Sequence, residues 1–265
     1  MQTNPVKQLL KSGKLALGTW LSLGDLLATR ILARSGFDWL TVDLEHGSID
    51  WAQASALFGA IADAGCVPLV RVPEGSPRDI KRALDAGAWG IVVPMVDTVE
   101  QARTAIAAAK YPPVGSRSLG GTSHALNFAA PAAEYYAKAN DEILVVLQTE
   151  SPTGIANAEQ IYRLPGVDAI FVGPTDLRAR LTSESGGPAS DADLETALSK
   201  IIAVGKATGT PTGMHVMDVE AARRRAGQGM QFLAVASDIR FMATHAAEAI
   251  QKLKPEAARK TGVGY

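Results

Sequence analysis

Cysteine is almost missing from this chain: Cys66 is the only one in 265 residues. That excludes an internal disulfide and any multi-cysteine zinc or iron–sulfur site, and it suits a reducing compartment. An excess of one charge is missing too. The 26 Lys+Arg against 27 Asp+Glu leave a formal net charge of -1, which argues against a nucleic-acid or anionic-membrane surface, since either needs clustered Lys/Arg. No apolar run approaches the roughly 18 residues of a membrane span. The opening Met1-Gln2-Thr3-Asn4-Pro5-Val6-Lys7 has no apolar signal-peptide core, so a cytoplasmic protein is expected. Catalytic signatures are absent as well. There is no Gly-x-Ser-x-Gly elbow, and no Gly-x-Gly-x-x-Gly follows the first strand. Lysines 81, 110, 138, 200 and 206 fall on predicted helices, so none sits at a strand end where Schiff-base chemistry needs it.

What is present is alternation. At 47% hydrophobic and 20% charged the chain has ordinary globular composition, and short β-rich runs alternate with Ala-rich stretches of helical period. The predicted strands begin at Leu15, Trp39, Val67, Gly90, Ile143, Ala169, Thr212 and Phe232. Predicted helices cover about 25–35, 50–64, 77–86, 98–110, 131–139, 155–163 and 191–208, with one more after each of the last two strands. About eight strand–helix units with no composition break predict an α/β fold, a TIM-like (β/α)8 barrel spanning 1–265 as a single domain. Residues 255–265 read as a tail. The Gly/Ser-rich insertion 112–122 is long for a barrel connection and reads as a lid, a subunit contact or a plain surface loop.

In such barrels the carboxyl ends of the strands carry the chemistry. Trp20, Glu45-His46, Arg71, Gln148-Thr149-Glu150 and Pro174-Thr175-Asp176 all fall at predicted strand ends. Glu150 and Asp176 lie 26 residues apart, about one strand–helix unit, which places them on adjacent ends. They are candidate ligands for a hard divalent cation, or else caps of the helices that follow. His46 is a candidate base, a metal ligand or a structural histidine. Arg71 interrupts an apolar strand, which requires an anion: a substrate or a buried ion pair. Trp20 reads as a wall of the pocket. Arg223-Arg224-Arg225 reads as a solvated helix face.

Val42-Asp43-Leu44-Glu45-His46-Gly47, Arg71-Val72-Pro73, Leu84-Asp85-Ala86-Gly87-Ala88, Val93-Pro94-Met95-Val96, Tyr111-Pro112-Pro113, Gln148-Thr149-Glu150 and Gly173-Pro174-Thr175-Asp176-Leu177 closely resemble the HpcH/HpaI family. These are class II, metal-dependent pyruvate aldolases related to macrophomate synthase, and the resemblance runs over about residues 5–250. It implies a carbon–carbon lyase of the aldehyde-lyase class. The reaction implied is reversible aldol cleavage of 4-hydroxy-2-oxo acids to pyruvate and an aldehyde, with Mg2+, Mn2+ or Co2+ as cofactor. It also implies a last helix exchanged between subunits and a hexamer built as a trimer of dimers. Carried over position by position, Glu150 and Asp176 resemble the metal ligands, and His46 the base, assisted by Asp85 from a neighbouring subunit. Arg71 resembles the residue holding the pyruvyl oxygen, with Gln148 alongside. Gly173, Pro174 and Thr175 resemble the carboxylate-binding turn. Arg117, Ser123 and His124 are candidate contacts for the aldehyde end. Val114 and Ser118 depart from the family's usual basic residue and glycine, a change that bears on the aldehyde half. Three other activities share features of this pattern: oxaloacetate decarboxylation with enolate trapping, malyl-CoA or citrate lyase chemistry, and oxo-acid sensing.

Overall fold

Eight strands pair side by side, all parallel and in chain order, and the first closes onto the last. The computed structural model describes residues 1–182 and 186–254; the tail expected at 255–265 lies outside them. The strands are β1 (Ala16–Leu21), β2 (Trp39–Asp43), β3 (Val67–Arg71), β4 (Gly90–Val93), β5 (Leu144–Gln148), β6 (Ala169–Val172), β7 (Thr212–Val216) and β8 (Phe232–Ser237). Around them run α1 (Pro5–Lys11), α2 (Leu26–Leu32), α3 (Trp51–Asp63), α4 (Pro77–Asp85), α5 (Val99–Ala109) and α6 (Ala132–Glu142). Then come α7 (Pro152–Ala156), α8 (Ala158–Tyr162), α9 (Pro174–Arg180), α10 (Asp191–Thr208), α11 (Val219–Gln228) and α12 (Asp238–Leu253). The expected closed barrel is therefore the observed fold.

The helices start where their caps sit. Asp50, Thr98 and Ser190 each close a capping box on α3, α5 and α10, which satisfies two N–H groups that the first helical turn leaves unpaired. Three elements differ from expectation. α1 was not expected; Asn4 caps it and Pro5 starts it. The single helix expected over 155–163 is two short ones meeting at Asn157. The stretch after Gly173, expected as a polar connection, contains α9.

Two-residue alternation decides what fills the barrel. Trp39 of β2 stacks on Phe232 of β8 at 4.3 Å, and Trp20 of β1 stacks on Phe171 of β6 at 5.0 Å. Glycine makes room for the Trp39 ring and for the backbone at Phe232. A Cβ on Gly18 would lie 2.1 Å from the Trp39 indole, and one on Gly213 would lie 1.6 Å from the Phe232 carbonyl oxygen. Counting inward positions upward from the aromatic floor reaches Asp43, Arg71, Gln148 and His215, so the interior turns polar at the strands' carboxyl ends. The β1–β8 seam is tied by Asp238, whose carboxylate accepts from the Ser22 and Leu23 N–H groups at 3.0 Å.

The arginine cluster of α11 is a solvated face at Arg223 and Arg224 but not at Arg225. Arg225 is buried and donates to both oxygens of Glu195 on α10, so the triplet is split between a buried anchor and its neighbours. Among the described residues no helix is long and apolar enough to cross a membrane.

Candidate active site

Asp43 is the organising anion of the mouth. Its Oδ1 accepts from the N–H groups of Glu45 and His46 at 3.1 and 3.3 Å, folding the turn after β2. The same carboxylate takes the Arg71 fork, with Nε on Oδ1 at 2.9 Å and Nη2 on Oδ2 at 2.5 Å. Arg71 Nη1 reaches Glu45 Oε2 at 3.0 Å. Burial would weaken the guanidinium's hold on its proton, but the hydrogen bonds and charges of Asp43 and Glu45 reverse this and keep it protonated. Its guanidinium carbon stands 5.6 Å from the centre of the Trp20 ring, and Trp20 is itself buried as a wall. The buried-ion-pair reading of Arg71 is thus realised, by Asp43, while the side chain still faces the mouth. His46, with 61% of its side chain exposed, has its Nε2 3.9 Å from Glu45 Oε2 at the same mouth.

Glu150 lies two residues past the end of β5, buried, with its oxygens held from two sides. The Met95 N–H donates to Oε1 at 2.8 Å and Gln148 Nε2 donates to Oε2 at 2.7 Å. Burial pushes the pKa of Glu150 up against those hydrogen bonds, and the charges of Asp176 and Glu45 push the same way. Glu45 is likewise raised by burial, with Arg71 opposing. Asp176 sits in the first turn of α9, half-buried. Glycine at 173 is required here, because a Cβ there would fall 2.2 Å from Glu150 Oε2. Gly173 caps α9 without a side chain and Pro174 follows, so no side chain serves the N–H groups of Thr175 and Asp176.

The donor set fits a hard dication. The charges of Asp176 and Glu45 both bear on Glu150, and the buried Gln148 Oε1 has no hydrogen-bond partner among the described residues, so oxygen ligands of the kind a hard cation prefers are gathered here. Among the described residues no group of three or more His, Cys, Asp or Glu could hold a metal by itself. Glu150 and Asp176 would therefore have to share a cation with water and with substrate oxygens.

Asp85, Arg117, Ser123 and His124 lie elsewhere. Asp85 ends α4, and helices in this fold run back from the mouth, so it sits at the amino ends of the strands. Arg117 is fully buried there. It donates to Asp85 Oδ1 at 2.7 Å and to the Tyr135 hydroxyl at 3.1 Å, with the Tyr111 ring 4.5 Å away. His124 is buried against Tyr135, and Ser123 is exposed. The insertion is thus no lid over its own barrel: Arg117 and His124 anchor it under a tyrosine cluster at the opposite end. Sequence reading also gave no site role to Asp43, Glu45 or His215, although counting inward positions from Trp39 marks Asp43.

Comparison with known proteins gives a family and the same fold. A model of the HpcH/HpaI aldolase/citrate lyase family matches residues 16–245. The "Hydroxypyruvate/pyruvate aldolase" of Roseovarius nubinhibens is 36% identical over 96% of this chain and 98% of its own length. The "2-dehydro-3,6-dideoxy-6-sulfogluconate aldolase" of Pseudomonas putida is 39% identical over 93% of this chain and 95% of its own. A crystal structure of an HpcH/HpaI aldolase/citrate lyase family protein from Burkholderia cenocepacia J2315 superposes with TM-score 0.87. It is 35% identical and covers 95% of this chain and 100% of that one.

Proposed function

The chain belongs to the HpcH/HpaI aldolase/citrate lyase family, and from that premise we propose that it is a class II pyruvate aldolase. It cleaves 4-hydroxy-2-oxo acids to pyruvate and an aldehyde, and catalyses the reverse addition. The observation that carries this reading is the placing of Glu150 against the Gly173 turn that leads to Asp176, at the same barrel mouth as Arg71.

Glu150 and Asp176 would hold Mg2+, Mn2+ or Co2+. A bound dication supplies Lewis-acid polarisation of the oxo acid's carbonyl and carboxylate oxygens. The chain's own groups do the rest. Unserved N–H groups at Thr175 and Asp176 receive the carboxylate, and Gln148 lies alongside Arg71 at the pyruvyl oxygen. Arg71 donates to the oxygen on which negative charge grows as the C3–C4 bond breaks. His46 takes the C4 hydroxyl proton as that carbon becomes an aldehyde, and the electron pair of the broken bond passes to the pyruvate enolate, whose methylene carbon then takes a proton from water to give pyruvate. In the reverse direction His46 returns the proton to the new alkoxide. Trp20 walls the pocket.

Asp85 is assigned the role of assisting His46 from a neighbouring subunit, since in its own chain it sits at the wrong end. Assembly as a hexamer, a trimer of dimers with α12 exchanged, is part of the same proposal. Its support is that only Asp238 of α12 is buried, while Met242, Ile250 and Leu253 are exposed. The exposed Val114 and Leu119 of the insertion belong to the same kind of surface, and a cytoplasmic setting goes with it. The test is a coupled assay for pyruvate release across a panel of 4-hydroxy-2-oxo acids, with and without EDTA. Release from at least one of them that EDTA abolishes and Mn2+ restores is expected. No release from any, or release indifferent to EDTA, would refute the proposal.

A further inference from the structure

One titratable side chain at the mouth has no part in that chemistry. His215 occupies an inward position of β7, two residues above Gly213. Its ring stands edge-on to Trp20 at 6.0 Å, on the same indole that carries Arg71. It therefore continues the wall that runs Glu45, Arg71, Trp20. Nε2 lies 2.8 Å from the Ala236 carbonyl oxygen. A carbonyl only accepts, so Nε2 carries the hydrogen, and in the neutral ring Nδ1 is then a lone-pair acceptor. Nδ1 has no hydrogen-bond partner among the described residues, although the side chain is only partly buried. Burial and the neighbouring Arg71 and Arg240 charges lower the ring's pKa, against the Ala236 hydrogen bond and Asp43.

The Ala236 contact fixes the ring as well as its tautomer. Ala236 has φ 55°, a left-handed conformation that is unfavourable for alanine. It sits beside the irregular β1–β8 register, which shifts between Gly18 and Trp20. A hydrogen bond to its carbonyl braces that kink and leaves the imidazole little freedom to turn. A fixed acceptor rewards a donor and offers nothing to an alkyl group or an anion.

We propose that His215 is a specificity-determining residue: its Nδ1 accepts a hydrogen bond from a hydroxyl on the aldehyde half of the substrate, so that hydroxylated aldehydes are preferred over their deoxy counterparts. This deepens the aldolase reading and rests on it.

The test is aldol addition to pyruvate with Mn2+, comparing glycolaldehyde with acetaldehyde and glyceraldehyde with propionaldehyde. His215→Gln keeps an amide N–H for Ala236 but has no acceptor at the Nδ1 position. His215→Asn places an amide oxygen there and gives up the Ala236 contact. In His215→Gln and His215→Leu the hydroxylated-to-deoxy ratio of kcat/KM should fall about 3- to 10-fold, the effect of one neutral hydrogen bond, and His215→Asn should recover part of it. An unchanged ratio in His215→Gln, or loss in His215→Asn alone, overturns the proposal. Solvent deuterium exchange into the pyruvate methyl group, followed by NMR, separates the two levels. If the native enzyme exchanges but the ratio is indifferent to His215, this inference alone fails. If the native enzyme neither exchanges nor adds any aldehyde, the aldolase reading fails and takes this one with it.

Discussion

The Arg71 guanidinium and the Asp43 carboxylate lie fork to fork across β2 and β3, with contacts of 2.9 and 2.5 Å. The pair sits in register, Asp43 opposite Arg71 in the β2–β3 ladder. Asp43 thus aims the arginine and folds the turn that carries His46 with one carboxylate.

Asp43→Asn keeps the shape and removes the charge. Charge-assisted hydrogen bonds contribute about 1.5–3 kcal/mol, so kcat/KM for pyruvate-forming cleavage should fall by roughly 10- to 100-fold. Mn2+ affinity, measured by calorimetric titration, should change far less. Equal losses in both would place Asp43 among the groups that hold the metal.

His46→Ala should slow turnover by about 10²–10⁴-fold, the usual contribution of a positioned base, with metal binding intact. Asp85→Ala should be similarly impaired. If the two act across a subunit boundary, refolding a mixture of the two inactive variants restores part of the activity. A mixture as inactive as its parents would put Asp85 out of the mechanism.

Gly173→Ala tests the cradle without touching a ligand. The added methyl would fall 2.2 Å from Glu150 Oε2, so the carboxylate must move. Mn2+ affinity should drop at least 10-fold, approaching the loss in Glu150→Ala, while the melting temperature stays within a few degrees of native. Native affinity in Gly173→Ala would mean that Glu150 does not hold the cation.

Most of the barrel was legible because its strands are short, apolar and evenly spaced, and the mouth was legible because polar residues end them. What escaped reading did so for identifiable reasons. β2 was read as running to His46 but ends at Asp43, so Asp43 looked like a neighbour of the base and not the inward residue above Trp39 and Thr41. His215 is one histidine in a short strand of apolar neighbours, where a structural and a functional side chain look alike. α9 is seven residues long, too short to show a helical period. The insertion's length showed that it was unusual but not which end of the barrel it covers. That was decided by Arg117 turning inward onto Asp85 and Tyr135, contacts 32 and 18 residues away in sequence.

Lys110 gives a stability prediction. It is buried, with Nζ donating to the Asn140 and Ile143 carbonyls at 2.7 and 2.9 Å. Burial, with the Lys7 charge adding to it, lowers its pKa to about 8. Unfolded, a lysine titrates near 10.4, so between about pH 8 and 10.4 the unfolded chain binds more protons and this group's contribution to stability rises with pH. At about 1.4 kcal/mol per pK unit the gain amounts to roughly 3 kcal/mol. Denaturant unfolding of native protein and Lys110→Met across that window should show the difference between them growing in favour of the native lysine. A flat or shrinking difference would rule the shift out.

Trp39 stacked on Phe232 stoppers the cylinder at its base. A stoppered vessel has a single doorway, so everything that enters must leave past whatever arrived after it. If the proposed aldolase seats its keto acid deepest, the aldehyde should go out first and pyruvate last. Product inhibition of the proposed reaction should then be competitive by pyruvate against the hydroxy-oxo acid and noncompetitive by the aldehyde.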